Sequence, residues 1–214
     1  MTKIAVLGSG IVGETLADGF LKLGHEVMRG TREVAKLSSW KDRAGKNASA
    51  GSFADAARFG DVAVLAVKGS GAESAVTLCE GGLVGKTVLD TTNPIAAAPP
   101  ESGVLHFFTT LDDSLMERLQ RREPGAHFVK AFSSVGSPSM VQPNFGGVKP
   151  TMFICGDDAS AKGEAKGLIE ALGWEVEDMG AAVAARAIEP LCMLWCIPGM
   201  LHGSWTHAFK LLKR

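Results

Sequence analysis

The chain has 214 residues, with 22 Lys and Arg against 23 Asp and Glu and a formal net charge of −1. That length buries one substantial core with room for a small appended lobe, and two independent domains would be cramped. Mixed signs throughout exclude the basic footprint of a nucleic-acid or anionic-membrane binder, so the expected partner is a small molecule.

Cys79, Cys155, Cys192 and Cys196 are too few and too scattered for a secreted disulfide scaffold. The N-terminus runs straight into a strand, and a reducing, cytoplasmic setting is expected. The most apolar tract, Leu191 to Leu201, is 11 residues long and contains Pro198. A bilayer needs roughly 20, so no membrane-spanning segment is predicted.

Lys3 to Arg32 reads KIAVLGSGIVGETLADGFLKLGHEVMRGTR. The apolar run Ile4 to Leu7 predicts a strand, and Gly8, Gly10 and Gly13 follow it in GxGxxG spacing. Such spacing alone is weak, because glycines punctuate ordinary turns, but here a helical segment and a second strand complete a βαβ unit. Leu16, Phe20, Leu21 and Leu23 mark the helix face, Gly24 ends it, and Glu26 to Met28 begins the second strand. Gly8 would make the tight turn, Gly10 would let backbone approach a pyrophosphate, and Gly13 would let the helix pack on the strand. Residues Ser9, Gly10, Ile11 and Val12 would then hold that pyrophosphate on the helix N-terminus.

The end of the second strand selects the dinucleotide. NAD enzymes usually carry an acidic residue there to accept from the ribose 2′-OH. This chain has Gly30, Thr31 and Arg32, a hydroxyl and a guanidinium suited to a 2′-phosphate, so NADP(H) is predicted. Lys36, one helical turn on, can reach the same anion. It reads equally well as a solvated surface lysine.

Glu33 to Arg43 predicts a helix, Gly45 to Ser52 a small polar turn, and Ser52 to Phe59 a short helix. Asp61 to Lys68 and Thr87 to Asp90 read as buried parallel strands, with a helix from Ala72 to Glu80 between them. Ile95 to Gly103 is loop-like. Ser114 to Arg122 predicts a helix stopped by Pro124-Gly125, and His127 to Phe132 the next strand. Ser133 to Pro150, rich in glycine and proline, predicts a long irregular and functional loop. Thr151 to Cys155 and Trp174 to Asp178 read as strands flanking a helix from Ala159 to Leu172. Ala181 to Arg214 reads as a helical region interrupted at Pro190 and at Pro198-Gly199. The fold class is therefore α/β: a doubly wound parallel Rossmann sheet over residues 1–180, with a small C-terminal helical lobe over 181–214.

Ligands of such sheets bind outside the carboxyl ends of the strands. That rule selects Ala66, Val67 and Lys68, then Asn93 and Pro94, then Ser133 as the nicotinamide surroundings. Asn93-Pro94 also fits a plain turn after a strand. His25, His106, His127, His202 and His207 show no triad spacing and read as structural. With no acid/base pair visible, no catalytic side chain is assigned. Hydride transfer between two cofactors needs positioning more than proton transfer.

Cys192 and Cys196 share a helix face, but His202 and His207 do not, so no metal site is predicted. Met193, Trp195, Met200, Trp205 and Phe209 could pack on the core, bury a homodimer interface through the C-terminal segment, or wall a flat ligand.

These residues resemble the NADP-linked coenzyme F420 oxidoreductase family over nearly the whole chain. The marks are the Lys3 to Arg32 stretch with Lys36, VKAF at Val129 to Phe132, FICGDD at Phe153 to Asp158, and DMGAAVAARAIEPLCMLW from Asp178 to Trp195. The resemblance implies an NADP-binding Rossmann domain that passes hydride to the deazaflavin F420 or a related flavin as co-substrate. By the same resemblance Thr31, Arg32 and Lys36 would hold the 2′-phosphate. The N-terminal pattern is also similar to the reductase domain of STEAP metalloreductases. Many relatives read KAFNT where this chain has KAFSS, which places Ser133 and Ser134 beside the ring site. Two other readings compete: a reductase of another small substrate, as in hydroxyisobutyrate or pyrroline-carboxylate enzymes, and a non-catalytic NADP sensor.

Overall fold

The first strand, β1 (Lys3–Leu7), has Ile4 to Leu7 fully buried, because helices cover both faces of the sheet it enters. The period of two sends Ile4 and Val6 into one core layer and Ala5 and Leu7 into the other. In the computed structural model, which describes residues 1–214, six parallel strands follow the order 3-2-1-4-5-6 of a Rossmann sheet. The others are β2 (Glu26–Gly30), β3 (Ala48–Gly51), β4 (Val62–Leu65), β5 (Thr87–Asp90) and β6 (His127–Lys130).

One face carries α1 (Ile11–Lys22), which buries Leu16, Ala17 and Phe20 against Val6, Val27 and Val64. After α2 (Ser38–Ala44), the other face carries α3 (Phe53–Phe59), α4 (Ala72–Thr77) and α5 (Leu115–Arg122). Serines cap two of these helices: Ser52 opens α3 and Ser114 opens α5, each in a reciprocal capping box with the third helical residue.

Three expectations need correction. Gly45 to Ser52 is not only a turn, since Ala48–Gly51 pairs with β2 from Val27 to Gly30 as the outer strand. Its small residues hid it, because an edge strand needs backbone partners more than apolar side chains. The segment Glu33 to Arg43 is a 3-10 turn (Val34–Leu37) followed by α2 rather than one helix. Thirdly, β7 (Thr151–Ile154) and β8 (Glu175–Asp178) do not extend the large sheet. They form a separate parallel pair, connected by α6 (Ala159–Ala171) and tied to β6 by an isolated bridge between Lys130 and Cys155.

The C-terminal region also departs from its expected form. A helical run extends from Ala182 to His202 through α7 (Ala185–Ile188) and α8 (Leu191–His202), with Pro190 at its inner junction and Pro198 inside α8. Its 21 residues and mean hydropathy of 1.2 match a membrane-spanning helix in length and apolarity, against the 11-residue tract read from sequence. Here its Ala185, Ile188, Cys192, Trp195 and Cys196 are buried in the domain. Beyond it, Gly203 to Arg214 are not helical. They fold back on the small sheet, where Thr151 N–H donates to Phe209 O at 2.9 Å and Leu211 N–H to Thr151 Oγ1 at 3.1 Å. Lys210 and Lys213 pair with Glu175 and Glu177, both at 2.6 Å.

Two charged residues of the ARAIEP segment clamp this run, one to α5 and one to the sheet. Arg186 makes a two-pronged contact to Glu117 of α5, Nε to Oε2 at 2.9 Å and an amino group to Oε1 at 2.7 Å. That contact is the first cause holding the Glu117 carboxyl below its ordinary range. Glu189 is buried. It accepts Lys130 Nζ at 2.8 Å and the N–H groups of Leu115 and Met116, both at 3.0 Å. Lys130 Nζ also meets Asp90 at 2.6 Å and donates to Thr92 O at 2.9 Å. Burial pulls the Lys130 ammonium down, but the two carboxylates outweigh it and hold its pKa above the ordinary lysine value.

Removing one member of such a buried cluster strands the others in low dielectric. Glu189→Ala is expected to lower the unfolding free energy by about 3 to 5 kcal/mol in urea titrations. A loss below about 1 kcal/mol, the level of an exposed pair, would show that the cluster contributes little.

Candidate functional site: a dinucleotide cleft and an adjoining cavity

The turn from β1 into α1 has the geometry its glycines predict. Gly8 has φ 146°, and a Cβ there would lie 2.1 Å from Ala66 O, so no larger residue fits without moving β4's carboxyl end. At Gly13 a Cβ would meet Gly8 O at 2.9 Å and Val6 at 3.4 Å, which is the close helix-to-strand packing expected. Gly10 faces open space, so its bare backbone is accessible to a ligand. The N–H groups of Ser9 to Gly13 find no acceptor in the chain, as at any helix start. They and the helix dipole form an anion cradle.

Beneath this turn lies Arg29, fully buried. Its guanidinium donates to Gly8 O at 3.2 Å and Gly10 O at 3.1 Å, and to Glu14 at 3.3 Å. It also stacks 5.0 Å from the Trp40 ring centroid. Both loop carbonyls are thereby engaged on the inner side. Burial pulls the Arg29 pKa down while Glu14 opposes it. Glu14, a carboxylate in the first turn beside the cradle, is in turn neutralised by Arg43 and Arg29, which hold its pKa below the ordinary value. Sequence reasoning passed over Arg29. Its signal was present, because strand alternation places Arg29 on the same buried face as Val27.

The cleft above the turn has a volume of about 370 Å³. It gathers Gly8, Ser9, Gly10, Thr31, Arg32, Lys36, Ala66, Val67 and Lys68 from the predicted set, together with Glu33, Phe53, Ser70 and Ser74. Ile11 sits exposed on the first turn of α1, and Val12 is turned partly into the core, so neither lines the cleft by its side chain. Thr31 is buried, and its Oγ1 accepts from Glu33 N–H at 3.5 Å. Arg32 is exposed and makes no ion pair within the chain. Lys36 donates to Glu33 Oε1 at 2.9 Å. Glu33 was not anticipated, although it stands next to Arg32 in the sequence.

A second cavity of about 520 Å³ adjoins the first and shares Val67, Lys68 and Ser70 with it. Its remaining walls include Thr91, Thr92, Asn93, Ile95, Ala96 and Phe108. The loops after β4 and β5 touch here, since a Cβ on Gly69 would lie 2.0 Å from Asn93 O. Asn93 Nδ2 donates to Ser133 O at 2.9 Å, joining the β5 and β6 loops. Asn93 Oδ1 and Ser133 Oγ are buried without partners. Pro94 is buried behind the loop and lines neither space.

Neither cavity is lined by a histidine or a cysteine. His25 takes Thr2 N–H at 3.3 Å beside Phe20, where burial pulls its pKa down, and His207 stacks on Trp195. Cys192 and Cys196 lie in a small cluster with Leu105 and Trp195, and Phe209 and Met193 pack against it. No three His, Cys, Asp or Glu side chains converge on one point.

The sheet order, the glycine cradle and the paired cavities at the carboxyl end define a dinucleotide-dependent oxidoreductase fold. A family model for NADP oxidoreductases dependent on coenzyme F420 matches residues 3–94, from β1 through the Asn93 loop. A candidate F420-dependent NADP reductase from Arthrobacter sp. FB24 is 32% identical, with 100% of both chains covered and a TM-score of 0.91. A hypothetical protein from Sinorhizobium meliloti is 29% identical over 86% of this chain and 87% of that one, with a TM-score of 0.69. Metalloreductase STEAP3 of Rattus norvegicus is 27% identical over 93% of this chain, which spans 39% of that protein's length. The chain belongs to the F420-dependent NADP oxidoreductase family.

Arg29→Met removes the donors beneath the turn that every dinucleotide would occupy. It is expected to weaken NADPH and NADH by the same factor, because Arg29 supports the turn from beneath and does not line the cleft. Calorimetry with both cofactors checks this, and a loss confined to NADPH would contradict it.

Proposed function

We propose that the chain transfers hydride between NADP(H) and the deazaflavin F420, or a related flavin. The observation that carries this reading is the pair of adjoining cavities sharing Val67, Lys68 and Ser70. The first suits the phosphate-bearing end of a dinucleotide, and the second has room for a flat ring beside Val67, Ile95, Ala96 and Phe108. When bound, the nicotinamide and the deazaflavin supply the redox chemistry.

The chain's own residues would bind and orient. The cradle from Ser9 to Val12 would take the pyrophosphate, and Thr31 and Arg32 the 2′-phosphate. Val67 and the Asn93 loop would set the nicotinamide against the second cavity. Lys68 is the only ionisable side chain lining that cavity. The Arthrobacter relative, named for F420-dependent NADP reduction, supports the same acceptor.

Mixing the protein with NADPH and either F420 or FMN tests the acceptor by absorbance. Consumption of NADPH with F420 is expected, and no oxidation with any deazaflavin or flavin would overturn the reading. For the dinucleotide, Arg32→Ala should weaken NADPH by about 1.5 to 3 kcal/mol and leave NADH nearly unchanged. Equal losses by calorimetry would refute a 2′-phosphate role.

A further inference from the structure

We propose that Glu33 is the residue that limits this cleft's preference for NADPH over NADH, by competing with a 2′-phosphate for Lys36 and by accepting from an unphosphorylated ribose. The inference rests on the reading above that this end of the cleft holds the adenosine ribose.

Glu33 follows β2 by three residues and lines the same cleft as Thr31, Arg32 and Lys36. Its Oε1 holds Lys36 Nζ at 2.9 Å. The cluster therefore carries two cations and one anion, and only Arg32 is free to meet a phosphate. A doubly charged 2′-phosphate placed here gains Arg32 at once. It gains Lys36 only when that side chain leaves Glu33, and it then faces the released carboxylate. An NADH ribose meets a different arrangement, because a carboxylate just past the second strand is the usual acceptor for a 2′-OH.

The pair is well suited to exchange. Both side chains are mostly exposed, at 59% and 64%, and ion pairs in that setting are weak and easily parted. The Lys36 hydrogen bond is the first cause holding the Glu33 carboxyl below its ordinary range, with Arg32 adding to it. Glu33 is thus charged at neutral pH and present as an acceptor. The absence of a carboxylate at Thr31 and Arg32 predicts strong NADP selectivity. Glu33 supplies a carboxylate slightly later, and selectivity is correspondingly moderated.

The test is Glu33→Gln in the full chain, with NADPH and NADH titrated in parallel by calorimetry. NADPH should bind more tightly and NADH more weakly, raising the ratio of the two dissociation constants by about tenfold, as for one charged hydrogen bond gained or lost. Glu33→Asp, which keeps the charge, should stay near the wild-type ratio. The NADPH gain should shrink at high salt, because an exposed charge is screened.

A ratio unchanged within about twofold (under 0.5 kcal/mol) in Glu33→Gln, or one moved toward NADH, overturns the proposal. Arg32→Ala in the same assay separates the two possible failures. If Arg32→Ala selectively weakens NADPH while Glu33→Gln changes nothing, the role of Glu33 alone is wrong. If Arg32→Ala also leaves NADPH unaffected, the placement of the 2′-phosphate is wrong and the Glu33 proposal falls with it.

Discussion

The ammonium of Lys130, held between Asp90 and Glu189 in the interior, is the constraint on which the arrangement of the second half of the chain depends. Three charges buried together are tolerable only if every one is paired and hydrogen-bonded. Here one cation faces two carboxylates, and the excess negative charge is met by main-chain donors. Leu115 and Met116 N–H groups serve Glu189, and Thr92 N–H and its hydroxyl serve Asp90 at 2.9 and 2.6 Å. β5, β6, the start of α5 and the C-terminal helical run are thereby fixed to one point. None of them can shift without leaving a charge unpaired.

That point also reaches the site. Lys130 donates to Thr92 O, the next residue is Asn93, and Asn93 grips the Ser133 carbonyl while Gly69 presses on its backbone. The three loops at the carboxyl edge are therefore mutually braced. Arg29 plays the corresponding part on the other side of β1, beneath the glycine turn. Each half of the site stands on a buried cation that organises carbonyl groups. Such a foundation holds the loops of both cavities in fixed relation to one another.

At the outer end of the cleft the electrostatics are of another kind. Arg32, Glu33 and Lys36 are exposed, their pairing is weak, and a ligand can rearrange it. Binding strength would then come from the rigid cradle, and discrimination from a surface cluster that costs little to reorganise.

Local pattern carried a good part of this. The GxGxxG spacing, the apolar runs of β1, β4 and β5 and the GTR ending of β2 are short-range features, and the cradle and the grouping of Thr31, Arg32 and Lys36 in one cleft follow from them. The helix face of α1 was legible for the same reason. The edge strand Ala48–Gly51 was not, because its own side chains are small and its pairing with β2 is made through the backbone. Neither was the fold-back of Gly203 to Arg214, whose hydrogen bonds run to Thr151 some 60 residues away. The ARAIEP and VKAF segments could be matched to a family, yet their work appeared only once Glu189, Lys130 and Asp90 were brought into contact. Sequence alone was enough to predict a phosphorylated dinucleotide, because the residues that would recognise a phosphate are few and contiguous. Which buried charges meet, and how the loops at the carboxyl edge of the sheet are braced, depended on the packing of distant segments, and only the folded chain decides those pairings.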